Sequence, residues 1–213
     1  MSKELVLKTV EEQKPRLIYL SGKTCTGKTT FSNELEQQGY TKIELDKIVM
    51  RSVVTPFNVN PGDGFRTAYR GLGPKEQIDE FVKATKEEIT KRVQETSLVI
   101  EGAIATPEIL SAVFSGDLTD FTFIYFHPVN IDVYEGRILS RFIAGAKDGS
   151  SGLPKDFWSL VKDSDLDEFK STDHVNSGIK NAINEYAIKS MNESQIRLAG
   201  FKTYFPNIIV IEI

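Results

Sequence analysis

The sequence predicts an α/β protein, a three-layer α/β/α sandwich around a mainly parallel five-stranded sheet. Three observations predict it. Short apolar runs recur at residues 16–20, 40–45, 98–100, 121–126 and 208–213. Most of them are continuous rather than alternating, as in strands covered on both faces. Between them lie stretches with helical spacing of apolar residues, and strands that alternate with helices pair in parallel. A glycine-bounded loop, GKTCTGKT, joins the first apolar run to the first helical stretch.

Each element follows from local pattern. Residues 1–14 are charged, with few large apolar side chains, and read as a frayed helix or a loose arm ended by Pro15. Residues 16–20 form a buried strand. The helix after the loop spans about 28–38 and stops at Gly39, a natural C-terminal cap. YTKIEL at 40–45 alternates and is the second strand, with Asp46 at its carboxyl end. Residues 51–74 are punctuated by Pro56, Pro61, Pro74, Gly62, Gly64, Gly71 and Gly73, and read as irregular. Such segments in compact domains are functional or mobile. Over 75–96 a helix places Ile78, Phe81, Val82, Ile89 and Val93 on one stripe. The third strand, 98–100, is closed by Glu101 and Gly102. A helix over 107–114 has Pro107 in its first turn. The fourth strand, 121–126, ends at His127 and Pro128.

The helix over 132–146 carries Arg137 and Arg141, and the loop 147–154 is glycine- and serine-rich. Residues 155–171 read as helical, with Phe157, Trp158 and Phe169 packing. A long helix over 176–198 ends at Gly200, and 208–213 is the last strand. The organisation expected is an arm, 1–15, and one domain, 16–213, with an insertion at 51–96 and a lid region at 132–154.

Composition narrows the function. The 213 residues suffice for one α/β domain with a full core. Net charge is −4 and the isoelectric point about 5.4, without a local Lys/Arg run. Sequence-independent binding of nucleic acid or of a membrane surface wants a basic face, so neither is expected. Cys25 is the single cysteine, which rules out an internal disulfide and suits a reducing compartment. No apolar run reaches membrane-spanning length, and MSKELVLKTVEEQK lacks the apolar core of a signal peptide. The expected location is the cytoplasm.

A strand, GKTCTGKT and a helix form the Walker A pattern. Gly22 and Gly27 let the chain turn tightly and bring its amides to a ligand. The amides and the helix N-terminus behind them make an anion site shaped for a polyphosphate. Gly22, Lys23, Thr24, Cys25, Thr26, Gly27, Lys28, Thr29 and Thr30 are therefore the expected nucleotide-binding residues. Lys28 would reach the β- and γ-phosphates and the Thr29 hydroxyl would ligate Mg²⁺.

Further candidates lie outside the loop. Ligands of open α/β sheets sit beyond the carboxyl ends of strands, which places Asp46 as an acceptor-binding residue or base; its alternative is a helix cap. Glu101, an acid after three apolar residues, is a ligand of Mg²⁺ or of its water shell, or else a solvated strand end. Arg137 and Arg141, four residues apart, share one helix face and either neutralise the transferring phosphoryl or stay solvated. Arg66 and Arg70 have the same spacing and either hold an acceptor anion or pair with surface carboxylates. His127 and His174 have no partner motif and read as structural, as does Glu44.

Together, the strand–GKTCTGKT–helix unit, Asp46, LVIEG at 98–102, and FIYFHP followed by RILSR resemble the P-loop kinases of small molecules: nucleoside, nucleoside monophosphate and shikimate kinases. The resemblance covers most of residues 16–213 in element order. It implies Mg²⁺-dependent transfer of the γ-phosphoryl of ATP to a small acceptor, foremost a nucleotide or nucleoside. Carried over by position, Lys28, Asp46, Arg137 and Arg141 would be catalytic, Asp46, Arg66 and Arg70 would bind the acceptor, and Thr29 and Glu101 the metal. The loop that holds adenine after the last strand in many members is expected to be missing. A switch GTPase would need an Asp-x-x-Gly and an Asn/Thr-Lys-x-Asp motif, neither present where expected. A regulatory nucleotide-binding module without turnover is the remaining alternative.

Overall fold

The computed structural model describes residues 1–147 and 152–213. Part of the expected lid, residues 148–151 with Gly149, lies outside the described residues. Strands β1 (Leu17–Gly22), β2 (Thr41–Glu44), β3 (Leu98–Glu101), β4 (Thr122–His127) and β5 (Ile209–Glu212) form one five-stranded sheet in the order 2-3-1-4-5. β1 runs parallel to β3 and β4, and β3 parallel to β2. With its flanking helices the sheet makes the expected three-layer α/β architecture. β1 is buried along its whole length, as a continuous apolar run requires. The register aligns the strand ends: Glu101 stands opposite both Leu20 of β1 and Glu44 of β2, so three strands finish nearly level.

The helices are α1 (Lys3–Gln13), α2 (Lys28–Gln37), α3 (Leu45–Val49), α4 (Thr55–Phe57), α5 (Pro61–Arg70), α6 (Lys75–Val93), α7 (Pro107–Val113), α8 (Ile131–Gly145), α9 (Lys155–Trp158), α10 (Asp163–Thr172) and α11 (Ser177–Tyr204). The chain forms two compact units. The first comprises Met1–Gly22, Lys28–Phe126 and Arg197–Glu212, and its core gathers Tyr19, Phe81, Ile100, Phe123, Tyr125 and Phe201. The second comprises Lys23–Gly27, His127–Ile196 and Ile213, around Tyr134, Phe142, Phe157, Phe169 and Ile183. Phe157 and Phe169 are core residues, and Trp158 packs beside them while its indole N–H donates to the Leu153 carbonyl at 3.2 Å. Among the described residues, no helix is long and apolar enough to cross a membrane.

Several expectations about local structure are corrected. The N-terminal segment is an eleven-residue helix, capped by the Ser2 side chain, with Val6 and Val10 buried. Two valines one turn apart anchor it, and Lys3 adds a 2.6 Å ion pair to Glu34. Residues 51–74 are largely helical: a π-helix, Met50–Val54, leads into α4, and α5 follows. The glycines and prolines that suggested irregularity serve as helix ends. Pro61 occupies the first turn, where its missing N–H is not needed, Asn60 caps the Asp63 amide, and Gly71 closes the helix at φ 64°.

Residues 155–171 are largely helical as expected, in two short helices, α9 and α10. α11 does not stop at Gly200 but runs on to Tyr204, where burial of Phe201 outweighs the poor helix propensity of one glycine. Finally, β2 ends at Glu44, one residue short of the expected strand, and Asp46, just beyond its carboxyl end, lies in the first turn of α3.

Candidate functional site

Gly22 and Lys28–Thr30 belong to the first unit, and Lys23–Gly27, the middle of the loop, to the second. Backbone torsions there are unusual. Gly22 has φ 144° and Gly27 φ 94°, and Cys25 takes φ 65° despite its side chain. In the second unit α8 holds the loop by its carbonyls. The Tyr134 hydroxyl donates to the Thr24 carbonyl at 2.9 Å, and Arg137 Nη1 donates to the Thr26 carbonyl at 3.1 Å. Thr26 Oγ1 donates to the Lys23 carbonyl at 2.7 Å. In a planar trans peptide C=O and N–H point opposite ways, so the amides of Cys25 and Gly27 are turned away from α8. This is how a backbone cradle for an anion is made. A Cβ on Gly27 would lie 3.4 Å from Arg137 Nη1 in a left-handed conformation, which only glycine takes without strain.

Other loop residues are used differently. Lys23 pairs with Glu193 of α11 at 2.5 Å and is only 10% exposed, so its ammonium fastens the loop from behind. Arg137 already sits on the loop. Arg141, one turn further along α8, lies against Gly152, where a Cβ would come within 2.8 Å of its Nη2. His127 Nδ1 is 2.9 Å from Ser194 Oγ, within the same unit.

In the first unit an acid cluster forms where α2 faces the ends of β2 and β3. The Thr29 hydroxyl donates to Glu101 Oε1 at 2.5 Å, and Ser32 Oγ donates to Oε2 at 2.9 Å. Lys42 Nζ lies 3.2 Å from the same Oε2 and also donates to Asn33 Oδ1. Burial pushes the Glu101 carboxyl up, but the hydrogen bonds from Thr29 and Ser32 and the Lys42 ammonium outweigh it and hold the group below its ordinary value. Gly102 permits the close turn behind Glu101, since a Cβ there would come within 2.5 Å of Leu45.

Asp46 is exposed on α3 and accepts a short hydrogen bond from the Tyr69 hydroxyl. Tyr69 comes from α5, with its ring packed between Phe65 and Phe81 and its carbonyl accepting from the Ala105 amide at 2.7 Å. Burial, then the charge of Asp46 and the hydrogen bond to it, push the phenol well above its ordinary value; Glu101 adds to the effect. Tyr69 is therefore a neutral donor. Arg66 and Arg70 remain exposed on α5, and Arg66 Nη1 lies 4.0 Å from Asp63.

Thus the structure brings Thr29 and Glu101 together, and Arg137 onto the loop, while Arg66 and Arg70 stay at the surface. Ser32, Lys42, Tyr69, Tyr134 and Glu193 were not singled out by sequence. Only Lys42 carried a signal there: in the alternating second strand it shares a face with Glu44.

No protein-family model matches the chain, and no curated protein matches it in sequence. Solved structures do resemble it. One is an unliganded sugar kinase from Janibacter sp. HTCC2649, 15% identical, with 93% of this chain and 84% of that one covered and a TM-score of 0.47. Another is a candidate kinase from Chloroflexus aurantiacus, 17% identical, with 83% and 98% covered and a TM-score of 0.44.

Proposed function

We propose that the chain is a Mg²⁺-dependent kinase that moves the γ-phosphoryl of ATP to a small-molecule acceptor of nucleotide or nucleoside type. The observation that carries this reading is the loop whose Thr24 and Thr26 carbonyls are taken from behind by Tyr134 and Arg137. Peptide geometry turns the amides of Cys25 and Gly27 away from α8, as in a backbone cradle for phosphate oxygens, and Lys28 and Thr29 follow in sequence at the helix N-terminus. Phosphoryl transfer asks a protein mainly to position its reactants and neutralise charge. Lys28 does this on the β- and γ-phosphates.

The metal donors fit. Thr29 and Glu101 offer a hydroxyl and a carboxylate 2.5 Å apart, an oxygen-only set. That suits Mg²⁺, which keeps several waters and takes one or two protein ligands beside substrate phosphates. When bound it would supply neutralising charge on the phosphates. Binding without turnover is the second reading. It is favoured by one observation, that Thr29, Ser32 and Lys42 already occupy Glu101.

Calorimetry with ATP in the presence and absence of Mg²⁺, and an assay for loss of the γ-phosphate, test the proposal. Mg²⁺-dependent binding with transfer is expected. Failure to bind ATP would end both readings, and binding without any transfer would favour the second.

A further inference from the structure

One polar corner of the first unit has no part in the kinase reading. Tyr19 and Ser21, two residues apart, put their side chains on the same face of β1, and both are fully buried. Tyr19 rests there on Phe114 and Phe123, with ring centres 5.3 and 5.0 Å away. Among the described residues neither Tyr19 Oη nor Ser21 Oγ has a hydrogen-bond partner, and neither does the buried Thr106 Oγ1, at the end of the segment that follows β3. Buried polar groups are paired as a rule, so orphaned hydroxyls call for a water or a ligand.

α11 brings a cation to this corner. It runs antiparallel to β4: Phe205 meets Phe121 at 5.8 Å, and Phe201, one turn earlier, meets Phe123 and Tyr125 at 5.2 and 5.9 Å. Arg197 stands one turn earlier again, which carries it toward the carboxyl ends of the strands, where Ser21 lies opposite Tyr125. The start of α7 rests on the same stretch, since a Cβ on Gly200 would lie 3.7 Å from Pro107. Arg197 is half-buried and makes no ion pair among the described residues. Carboxylates of the neighbouring elements have partners of their own. Glu193, one turn before Arg197, pairs with Lys23 at 2.5 Å, Glu101 with Lys42 at 3.2 Å, and Glu108 accepts from the Tyr204 hydroxyl at 2.9 Å. Burial pushes the Tyr19 phenol up, while the nearby Ser21 hydroxyl, the Arg197 charge and the Ile104 backbone act the other way.

We propose that Arg197 and the hydroxyls of Tyr19 and Ser21 form an oxyanion subsite, distinct from the backbone cradle of the phosphate loop, that takes a carboxylate or phosphate group. A water would satisfy the two hydroxyls but leave the guanidinium charge uncompensated in a half-buried place, and an oxyanion satisfies all three. The anion is either a substituent of the acceptor or a free ion. The subsite itself does not rest on the kinase reading.

The test is calorimetry on the full chain with acetate and inorganic phosphate as probes, in the parent, Arg197→Met, Arg197→Lys, Tyr19→Phe and Lys28→Ala. Binding is expected in the parent and in Lys28→Ala. Arg197→Met should weaken it roughly tenfold or more, as loss of a hydrogen bond between charged groups does, and Arg197→Lys should restore part of the loss. Tyr19→Phe should weaken it roughly fivefold without lowering the melting temperature, because the hydroxyl removed has no partner. Should Arg197→Met melt below the parent, Arg197→Lys and Tyr19→Phe carry the test. No binding of either probe overturns the proposal. So does binding that is lost in Lys28→Ala and kept in Arg197→Met, which places the anion on the loop. A Tyr19→Phe variant that melts lower with unchanged anion affinity marks the seat of a structural water and overturns it too. Steady-state kinetics with paired acceptors, glycerol against glycerate and nucleosides against their 5′-monophosphates, then separate the two sources. An acceptor's own anion makes Arg197→Met raise the KM of the charged member alone, with the KM for ATP unchanged. A free ion leaves every KM unchanged while the phosphate affinity falls.

Discussion

The loop Lys23–Gly27 and the Glu101 cluster are built by opposite means. The loop is a backbone device. Its glycine and left-handed torsions set the course, and side chains from α8 and α11 only hold it from behind. The Glu101 cluster is a side-chain device, assembled from α2, β2 and β3 around one carboxylate. A backbone site degrades gradually as its supports are trimmed. A cluster around a single charge fails at once when that charge loses its partner.

The largest effect is expected at Lys28, which follows the loop directly and on the proposed reading would supply the side-chain charge that the backbone cannot. Lys28→Ala should lower turnover roughly a hundredfold or more, the scale of losing one preorganised group on developing charge. ATP affinity should weaken and the fold should persist, because Lys28 lies at a loop–helix junction. Unchanged affinity by calorimetry would remove Lys28 from the phosphate site.

Next in size is the cluster. Lys42→Met strands Glu101, 15% exposed, without its cation. The variant should lose about 3 kcal/mol of stability, read by urea unfolding, as broken buried pairs do. Glu101→Gln keeps the shape and removes the charge, and should raise the Mg²⁺ concentration needed for half-maximal turnover. A metal titration identical to the parent's would leave Glu101 a purely structural acid.

The same carboxylate predicts a pH dependence. The folded Glu101 is held below its ordinary value of 4.5, so the folded state binds fewer protons than the unfolded one in that range. Its contribution to stability is present above pH 4.5 and is lost as pH falls through the lower folded value. Unfolding midpoints of the parent and Glu101→Gln should therefore differ at about pH 7 and converge in acid. Equal midpoints across the whole range would show that Thr29, Ser32 and Lys42 do not stabilise the ionised form.

These two regions are unequally legible in the sequence. Gly22, Gly27, Lys28 and Thr29 lie within a few residues of one another, so their joint meaning is local and visible. Glu101 can be placed because three apolar residues precede it and a glycine follows. Lys42 cannot be paired with it, since that needs β2 to lie beside β3, a fact of topology and not of pattern. Tyr69 is hidden in a segment whose punctuation misleads. Pro61 and Gly71 break a helix when inside it and delimit one when at its ends, and the residues alone do not say which. The spacing of Arg137 and Arg141 suggests groups awaiting the phosphoryl, whereas the Arg137 guanidinium is bound to the Thr26 carbonyl.

The smallest effect expected is also the one that separates the two designs. Tyr134→Phe removes one hydroxyl from behind the loop and leaves a ring of nearly the same shape in the core of the second unit. One neutral hydrogen bond is worth about 1 kcal/mol net. The Thr24 carbonyl, no longer drawn toward α8, gains freedom, and with it the Cys25 amide. ATP affinity should fall roughly fivefold, with kcat at saturating ATP nearly unchanged, because on the proposed reading the loop would grip ground state and transition state alike. Arg137→Ala, if its guanidinium serves only the Thr26 carbonyl, should show the same signature at a similar size. A fall in kcat instead would mean that Arg137 leaves that carbonyl for the transferring phosphoryl during turnover. Steady-state kinetics of the two single variants and the double variant decide it. Additive losses in ATP affinity mark two independent backbone supports, and a kcat loss confined to Arg137→Ala marks a side chain with a second role.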